Sequence, residues 1–332
     1  MRFVQLKAGN TRRLALVEEP KLRLLRNFDS LYALAQAAIE SGVKLSTHAA
    51  SHTSDEALDY EQIYQGIADW ELLPPIDHPN EPARCLVSGT GLTHFGSARD
   101  RQSMHLASEE ELTDSMKMFQ WGMEAGRPSA GEIGIAPEWF YKGNGFAVQA
   151  HKEPLLIPPY AEDGGEEAEI AAAYMIGPAG RPFRIGMAQG NEFSDHCFEK
   201  RNYLNLAGSK LRACALGPEL VIDPDFDAIP GKVSILRDGS EFWSQTIASG
   251  EQEMAHSLRN LEYHHFKFEL HRRPGDVHIH FLGAHSLSFG QGIRLKNGDI
   301  MSVQFEGFGR PLQNPVMVTS EKQAPIEVIP LA

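Results

Sequence analysis

The stretch RRPGDVHIHFLGAHSLSFGQGIRLKNGDIMSVQFEGFGRPLQNPV, residues 272–316, decides the fold class. Pro274-Gly275-Asp276 turns the chain into VHIHFL, and Asn297-Gly298-Asp299 turns it into IMSVQF. Gly, Pro, Asn and Asp between β-branched and aromatic runs mark a succession of short strands. The same texture reaches back to Trp139 through VSILRDGSEFW, YMIGPAGRPFRIG and LLIPPYAEDGG. A β-rich unit built from many short strands follows.

Upstream the pattern changes. MRFVQLKA and RLALVEE, separated by Gly9-Asn10, read as a hairpin. LYALAQAAIE is rich in helix formers, with Asp29 or Ser30 as cap and Gly42 as stop. SDEALDYEQIYQGIADW, Ser54 to Trp70, predicts a second helix. Four prolines and no periodicity between Leu73 and Ala83 then set a boundary, giving a small N-terminal α/β domain over residues 1–80 and a larger domain over 84–332. CLVSGTGL, Cys85 to Leu92, reads as a buried strand entering a Gly-rich turn. Ser108 and Glu111 form a capping box for a helix ending near Gly126.

A chain of 332 residues, 42% hydrophobic and 23% charged, is an ordinary globular composition. The net charge of −13 argues against nucleic acid and anionic membrane as main partners. It leaves an anionic substrate open, because local cations can override the global balance. Cys85, Cys197 and Cys214 are odd in number and far apart, so neither a disulfide framework nor a zinc site is expected. With no apolar leader-like run at the start and no membrane-length segment, a cytoplasmic protein is the expectation.

The candidate chemistry lies in EEAEIAAAYMIG (166–177), QGNEFSDH (189–196) and SKLRACALGPEL (209–220). Glu167 and Glu169 are two apart, so on a strand they share a face. Two acids on one face repel unless a cation sits between them, and a hard divalent ion with oxygen ligands fits. Glu192, from a neighbouring segment, would complete three carboxylates and leave positions open for substrate. Glu-rich segments are more often solvated faces, so the acids alone do not establish a site. His278 and His280 share a strand face without a nearby acid, which favours structural roles for them and for His264-His265.

The ordered motifs resemble the fumarylacetoacetate hydrolase superfamily. They are Pro274-Gly275-Asp276, Asn297-Gly298-Asp299, Glu306-Gly307-Phe308-Gly309 and Asn314-Pro315-Val316, with PEWFYKG, the Glu-x-Glu pair, Asn191-Glu192 and SKLRACALGPEL upstream. The match runs from about Arg84 to the C-terminus. The resemblance implies an α+β protein whose main part is a mixed β-sandwich roll, and a homodimer. It implies metal ligands Glu167, Glu169 and Glu192 for Mg²⁺, with Mn²⁺ as a substitute. Lys142 and Lys210 fall on the family's active-site lysines.

The chain also departs from the family. Glu192 stands where Asp is frequent. In GTGLTHFGSARDRQSMH neither His94 nor His105 has the offset of the His-Glu dyad found in the family's hydrolases. GAHSLSFG, Gly283 to Gly290, replaces a Thr-Gly-Thr-Pro loop. These differences are similar to the branch that dehydrates 2-keto-3-deoxy sugar acids. The resemblance therefore implies a Mg²⁺-dependent dehydratase that converts a 2-keto-3-deoxypentonate of the D-xylonate or L-arabinonate type into 2,5-dioxopentanoate through a metal-stabilised enolate. The expected partner is a small 2-keto acid. Lys142, Lys210, His94 and His285 are the candidate catalytic residues, and Lys142, Lys210, Ser97 and Ser286 the candidate substrate contacts. A 2,4-diketo-3-deoxy acid hydrolase releasing pyruvate is the alternative, and a non-catalytic sugar-acid binder is the rival from outside the enzymes.

Overall fold

The computed structural model describes residues 1–98, 114–319, 321 and 323–331. The expected hairpin is strands β1 (Arg2–Ala8) and β2 (Thr11–Glu18), followed by β3 (Lys21–Leu25). The next helix, α1 (Leu31–Ser41), starts at Ser30, whose side chain accepts from the Ala33 amide, and ends at Gly42, whose φ of 68° only glycine adopts freely. A short α2 (Leu45–Ala50) follows.

The helix expected over Ser54 to Trp70 is a correction. Strand β4 (Thr53–Asp59) takes its first part and α3 (Tyr60–Tyr64) a single turn or so, capped by Asp59. The open edge of β3 offers backbone partners to residues 53–59, with Leu22 opposite Leu58, and this pairing outweighs local helix preference. Of the helix expected to run from Ser108 to Gly126, α4 (Asp114–Ala125) is present, while Ser108, Glu111 and His105 lie outside the described residues.

The remaining strands are β5 (Glu71–Leu73), β6 (Cys85–Gly91), β7 (Glu138–Asn144), β8 (Val148–Gln149), β9 (Leu155–Ile157), β10 (Ala168–Ile176), β11 (Pro182–Asn191), β12 (Cys214–Leu216), β13 (Leu220–Val221), β14 (Ile229–Arg237), β15 (Ser240–Ser249), β16 (Val277–Phe281), β17 (Ile300–Phe305) and β18 (Leu312–Val318). Helices α5 (His196–Arg201), α6 (Leu206–Lys210) and α7 (Leu258–Phe266) complete the helices named here.

The strands form two mixed sheets. The larger runs β4-β3-β2-β1-β13-β11-β10-β16-β6-β7, and the smaller runs β15-β14-β17-β18-β9. Most pairs are antiparallel, while β16–β6, β18–β9 and β12–β8 are parallel. The large sheet continues across the Leu73 to Ala83 segment, because β1 pairs with β13 at Phe3–Leu220.

Strand β10 is buried along its whole length, and its alternation shows why. Ala171, Ala173 and Met175 pack with Leu31, Leu34 and Ala35 of α1. Ile170, Ala172, Tyr174 and Ile176 pack with Val233, Met301, Val303 and Phe305 of the small sheet. A strand covered on both faces reads as a continuous apolar run, as IAAAYMI does.

Glu219, fully buried, ties the N-terminal strands to this body. It accepts from Arg2 Nη1 at 2.8 Å, the Tyr60 hydroxyl at 2.9 Å and the Arg310 amide at 3.1 Å. Glu219→Leu would leave these donors without an acceptor, and urea denaturation is expected to show a loss of about 3 kcal/mol.

Candidate active site

The antiparallel register of β10 and β11 sets Ala168 opposite Asn191 and Glu169 opposite Gly190. Glu167, one residue before β10, and Glu192, one residue after β11, therefore meet at the end of the hairpin, where the Glu192 amide donates to the Glu167 carbonyl at 2.9 Å. The carboxylates of Glu167, Glu169 and Glu192 each place an oxygen within 4.8 Å of the others, and all three residues are buried. Among the described residues this is the one group of acids, histidines or cysteines close enough to hold an ion.

Two lysines close the cluster. Lys210, the last residue of α6, bonds Glu167 Oε1 and reaches Glu192 Oε2 at 2.6 Å. Lys142, on the inward face of β7, is fully buried, contacts Glu192 Oε1 at 2.6 Å and donates to the Phe193 carbonyl. Glu169 Oε2 accepts from the Gly283 amide at 2.7 Å. His196, opening α5, places Nε2 3.0 Å from Glu167 Oε1. Its ring lies against Gly165, where a Cβ would come within 2.3 Å of Nδ1, so only glycine fits there.

Burial and charge pull these groups apart in titration. Burial raises Glu167, but Lys210 and His196 outweigh it and hold this carboxyl well below its usual range. Burial pushes Glu169 well above its usual range, and the charges of Glu192 and Glu167 add to the effect. Burial also raises Glu192, against Lys142 and Lys210. Lys210 is held charged by Glu167 and Glu192 despite burial, whereas burial leaves Lys142 lowered. Two lysines thus face three carboxyl groups, and Glu169, raised by burial and by its acidic neighbours, is the acid with the least cationic compensation. An all-oxygen, buried donor set with one uncompensated carboxylate fits a hard divalent cation. Glu167, Glu169 and Glu192 are the residues that would hold it.

The cluster opens on a cavity of about 270 Å³. Glu167, Glu169 and Lys210 line it, as does Ser97. Lys142 stands behind Glu192. His94 is fully buried, with Nδ1 2.9 Å from Thr93 Oγ1 and Nε2 3.1 Å from Ser249 Oγ, and burial, with His285 adding, pushes it down to about 3. His94 is a neutral histidine held between two hydroxyls. The His285 ring packs over Gly96, and Ser286 is buried in the same loop. His265 Nε2 lies 2.9 Å from His278 Nδ1, and His280 Nδ1 lies 2.9 Å from Ser88 Oγ, so these histidines bond within the protein interior.

The cavity also contains residues the sequence reading missed: Glu138, His196, Glu199 and Tyr203. The Tyr203 hydroxyl donates to Glu138 Oε2 at 3.3 Å. The signal for Glu138 was present: Glu138, Phe140 and Lys142 alternate inward on β7, so the face that carried Lys142 also carried an acid.

No family model and no curated protein matches the chain. Solved structures do. 2-Keto-3-deoxy-D-arabinonate dehydratase, complexed with magnesium and 2,5-dioxopentanoate, superposes with a TM-score of 0.71 at 19% identity, covering 97% of this chain and 100% of that one. At that identity the likeness shows a shared fold. A fumarylacetoacetate hydrolase from Exiguobacterium antarcticum gives 0.59 at 17% identity, over 96% and 100% of the chains. 2-Hydroxyhepta-2,4-diene-1,7-dioate isomerase from Mycobacterium marinum gives 0.59 at 15%, over 97% and 100%. The strand-rich architecture expected from the sequence is thus present as two packed mixed sheets, and the large sheet carries the acid cluster at one hairpin end.

Calorimetric titration with Mg²⁺ or Mn²⁺ is expected to give one site per chain. Glu169→Ala should abolish it. His196→Ala, which leaves Lys210 alone to hold Glu167 Oε1, should weaken it roughly tenfold.

Proposed function

We propose that the protein is a Mg²⁺-dependent dehydratase acting on a 2-keto-3-deoxy sugar acid, such as a 2-keto-3-deoxypentonate of the D-xylonate or L-arabinonate type, and forming 2,5-dioxopentanoate. The observation that carries this reading is the buried set Glu167, Glu169 and Glu192, braced by Lys210 and open to a cavity. The higher superposition on the dehydratase than on the hydrolase and the isomerase supports the branch.

Bound Mg²⁺ supplies Lewis acidity where negative charge develops on the substrate's 2-keto group. The protein's own groups do the rest. Lys210, whose ammonium Glu167 and Glu192 favour, lies at the same end of the cavity and attracts the substrate carboxylate. Lys142 fixes Glu192 from behind. Glu138, oriented by Tyr203, reaches the cavity and is placed to move protons along the chain of the substrate. A proton leaves carbon 3, the carbon 4–oxygen bond breaks, and the hydroxyl takes up a proton and departs as water. Transfer of a further proton from carbon 5 to carbon 3 leaves an enol that becomes the aldehyde of 2,5-dioxopentanoate. Ser97, which lines the cavity and whose hydroxyl donates to the His94 carbonyl at 3.0 Å, joins His94 and His285 as a group that would assist departure of the hydroxyl. A homodimer belongs to the same reading.

Hydrolysis of a 2,4-diketo acid would need water activated beside the cluster. His94, buried between two hydroxyls and pushed down to about 3, is unsuited to that task.

Incubation with 2-keto-3-deoxypentonate and Mg²⁺ is expected to yield 2,5-dioxopentanoate, with activity lost in EDTA and kcat lowered at least about 100-fold in Lys210→Met. Pyruvate released from a 2,4-diketo-3-deoxy acid, with no dehydration product, would move the assignment to the hydrolase.

A further inference from the structure

Residues 283–290 form one wall of the cavity through Ala284, Leu287, Phe289 and Gly290. This wall is fastened to the Glu166–Glu169 tetrapeptide at three points. At its start, the Gly283 amide donates to Glu169 Oε2 at 2.7 Å. Near its end, the Ser288 amide and hydroxyl both donate to the carboxylate of Glu166, at 2.7 and 2.8 Å. Just past Ser288, the Phe289 ring lies 5.1 Å from the ring of His196, and so reaches the tetrapeptide indirectly, through the bond of His196 to Glu167. Glu166 is fully buried and forms no part of the three-acid cluster. A buried carboxylate with two hydrogen bonds from a single loop residue is a clamp: its removal strands the Ser288 amide in the interior.

We infer that Glu166 is a positioning residue that sets the 283–290 wall against the cluster, and that a divalent ion held by Glu167 and Glu169 orders this wall. The inference rests on the ion-binding reading above and adds to it: Glu169, which would help hold the ion, accepts from the Gly283 amide through Oε2, so fixing the acid would fix the loop. By linkage, a 2-keto acid that closes against Leu287 and Phe289 gains from the same clamp.

Amide hydrogen exchange of the 283–291 segment tests this in the full-length protein, with Mg²⁺ titrated by calorimetry and pyruvate as the 2-keto acid probe. In the wild type, Mg²⁺ should slow exchange of the wall. In Glu166→Leu, Mg²⁺ affinity should stay within about threefold, the wall should exchange rapidly with or without the ion, and pyruvate should bind roughly tenfold more weakly. Glu166→Gln, which keeps an acceptor for the Ser288 amide, should restore much of the protection, and Ser288→Ala should lose part of it. With the deoxy sugar acid as substrate, Glu166→Leu should raise KM more than it lowers kcat. A wall as protected in Glu166→Leu as in the wild type overturns the clamp. So does a variant that loses Mg²⁺ binding in step with wall order, since Glu166 would then only support the ligands. A wild type that binds no Mg²⁺ overturns the ion reading and the ordering claim together, and the ion-free exchange data still decide separately whether Glu166 holds the wall.

Discussion

Five ionisable side chains buried in one place constrain this molecule. Three carboxylates and two ammoniums lie together at the end of the β10–β11 hairpin, out of water. Ions taken out of water cost several kcal/mol each, and the cost is offset only if every partner is held at bonding distance. The β-ladder supplies that precision. It fixes Glu167 and Glu169 on one side and Glu192 on the other by backbone register, which flexible loops could not do as rigidly. Lys142 and Lys210 then arrive from β7 and α6, on opposite sides of Glu192.

The layers around the hairpin follow from the same requirement. A strand that carries charge at its end and is apolar along its length needs cover on both faces. The small sheet covers one and α1 the other. The N-terminal segment is thus part of the frame that keeps the site dry, joined through β1–β13 and the three-donor knot on Glu219. Around the cluster, His196 and Glu166 extend the order outward, one to a ligand and one to the cavity wall. The chemistry proposed for the site depends on this chain of contacts, because an acid free to swing would hold neither an ion nor a substrate at fixed geometry.

Much of this was legible in the sequence. Period-two spacing put Glu167 and Glu169 on one face, and of the two caps offered for α1, Asp29 or Ser30, the structure uses Ser30, with the stop at Gly42 as expected, because these signals are local. Residues 54–59 were misread as helix because their partner, β3, lies about thirty residues away and supplies hydrogen bonds that local propensity cannot see. Lys142 was singled out as a substrate contact, yet its ammonium is bonded to Glu192 and to a backbone carbonyl. A position on an inward face does not tell how deep a side chain lies. Glu138 was missed on the same strand face. Glu166 was passed over because its partner Ser288 is far along the chain and the neighbouring Glu167 and Glu169 supplied a simpler pattern.

The most direct measurement is anomalous diffraction from a crystal soaked in Mn²⁺. The account predicts one strong anomalous peak per chain, within coordination distance of an oxygen from each of Glu167, Glu169 and Glu192. A crystal with no peak among these three carboxylates, or with its ion elsewhere in the chain, would contradict it.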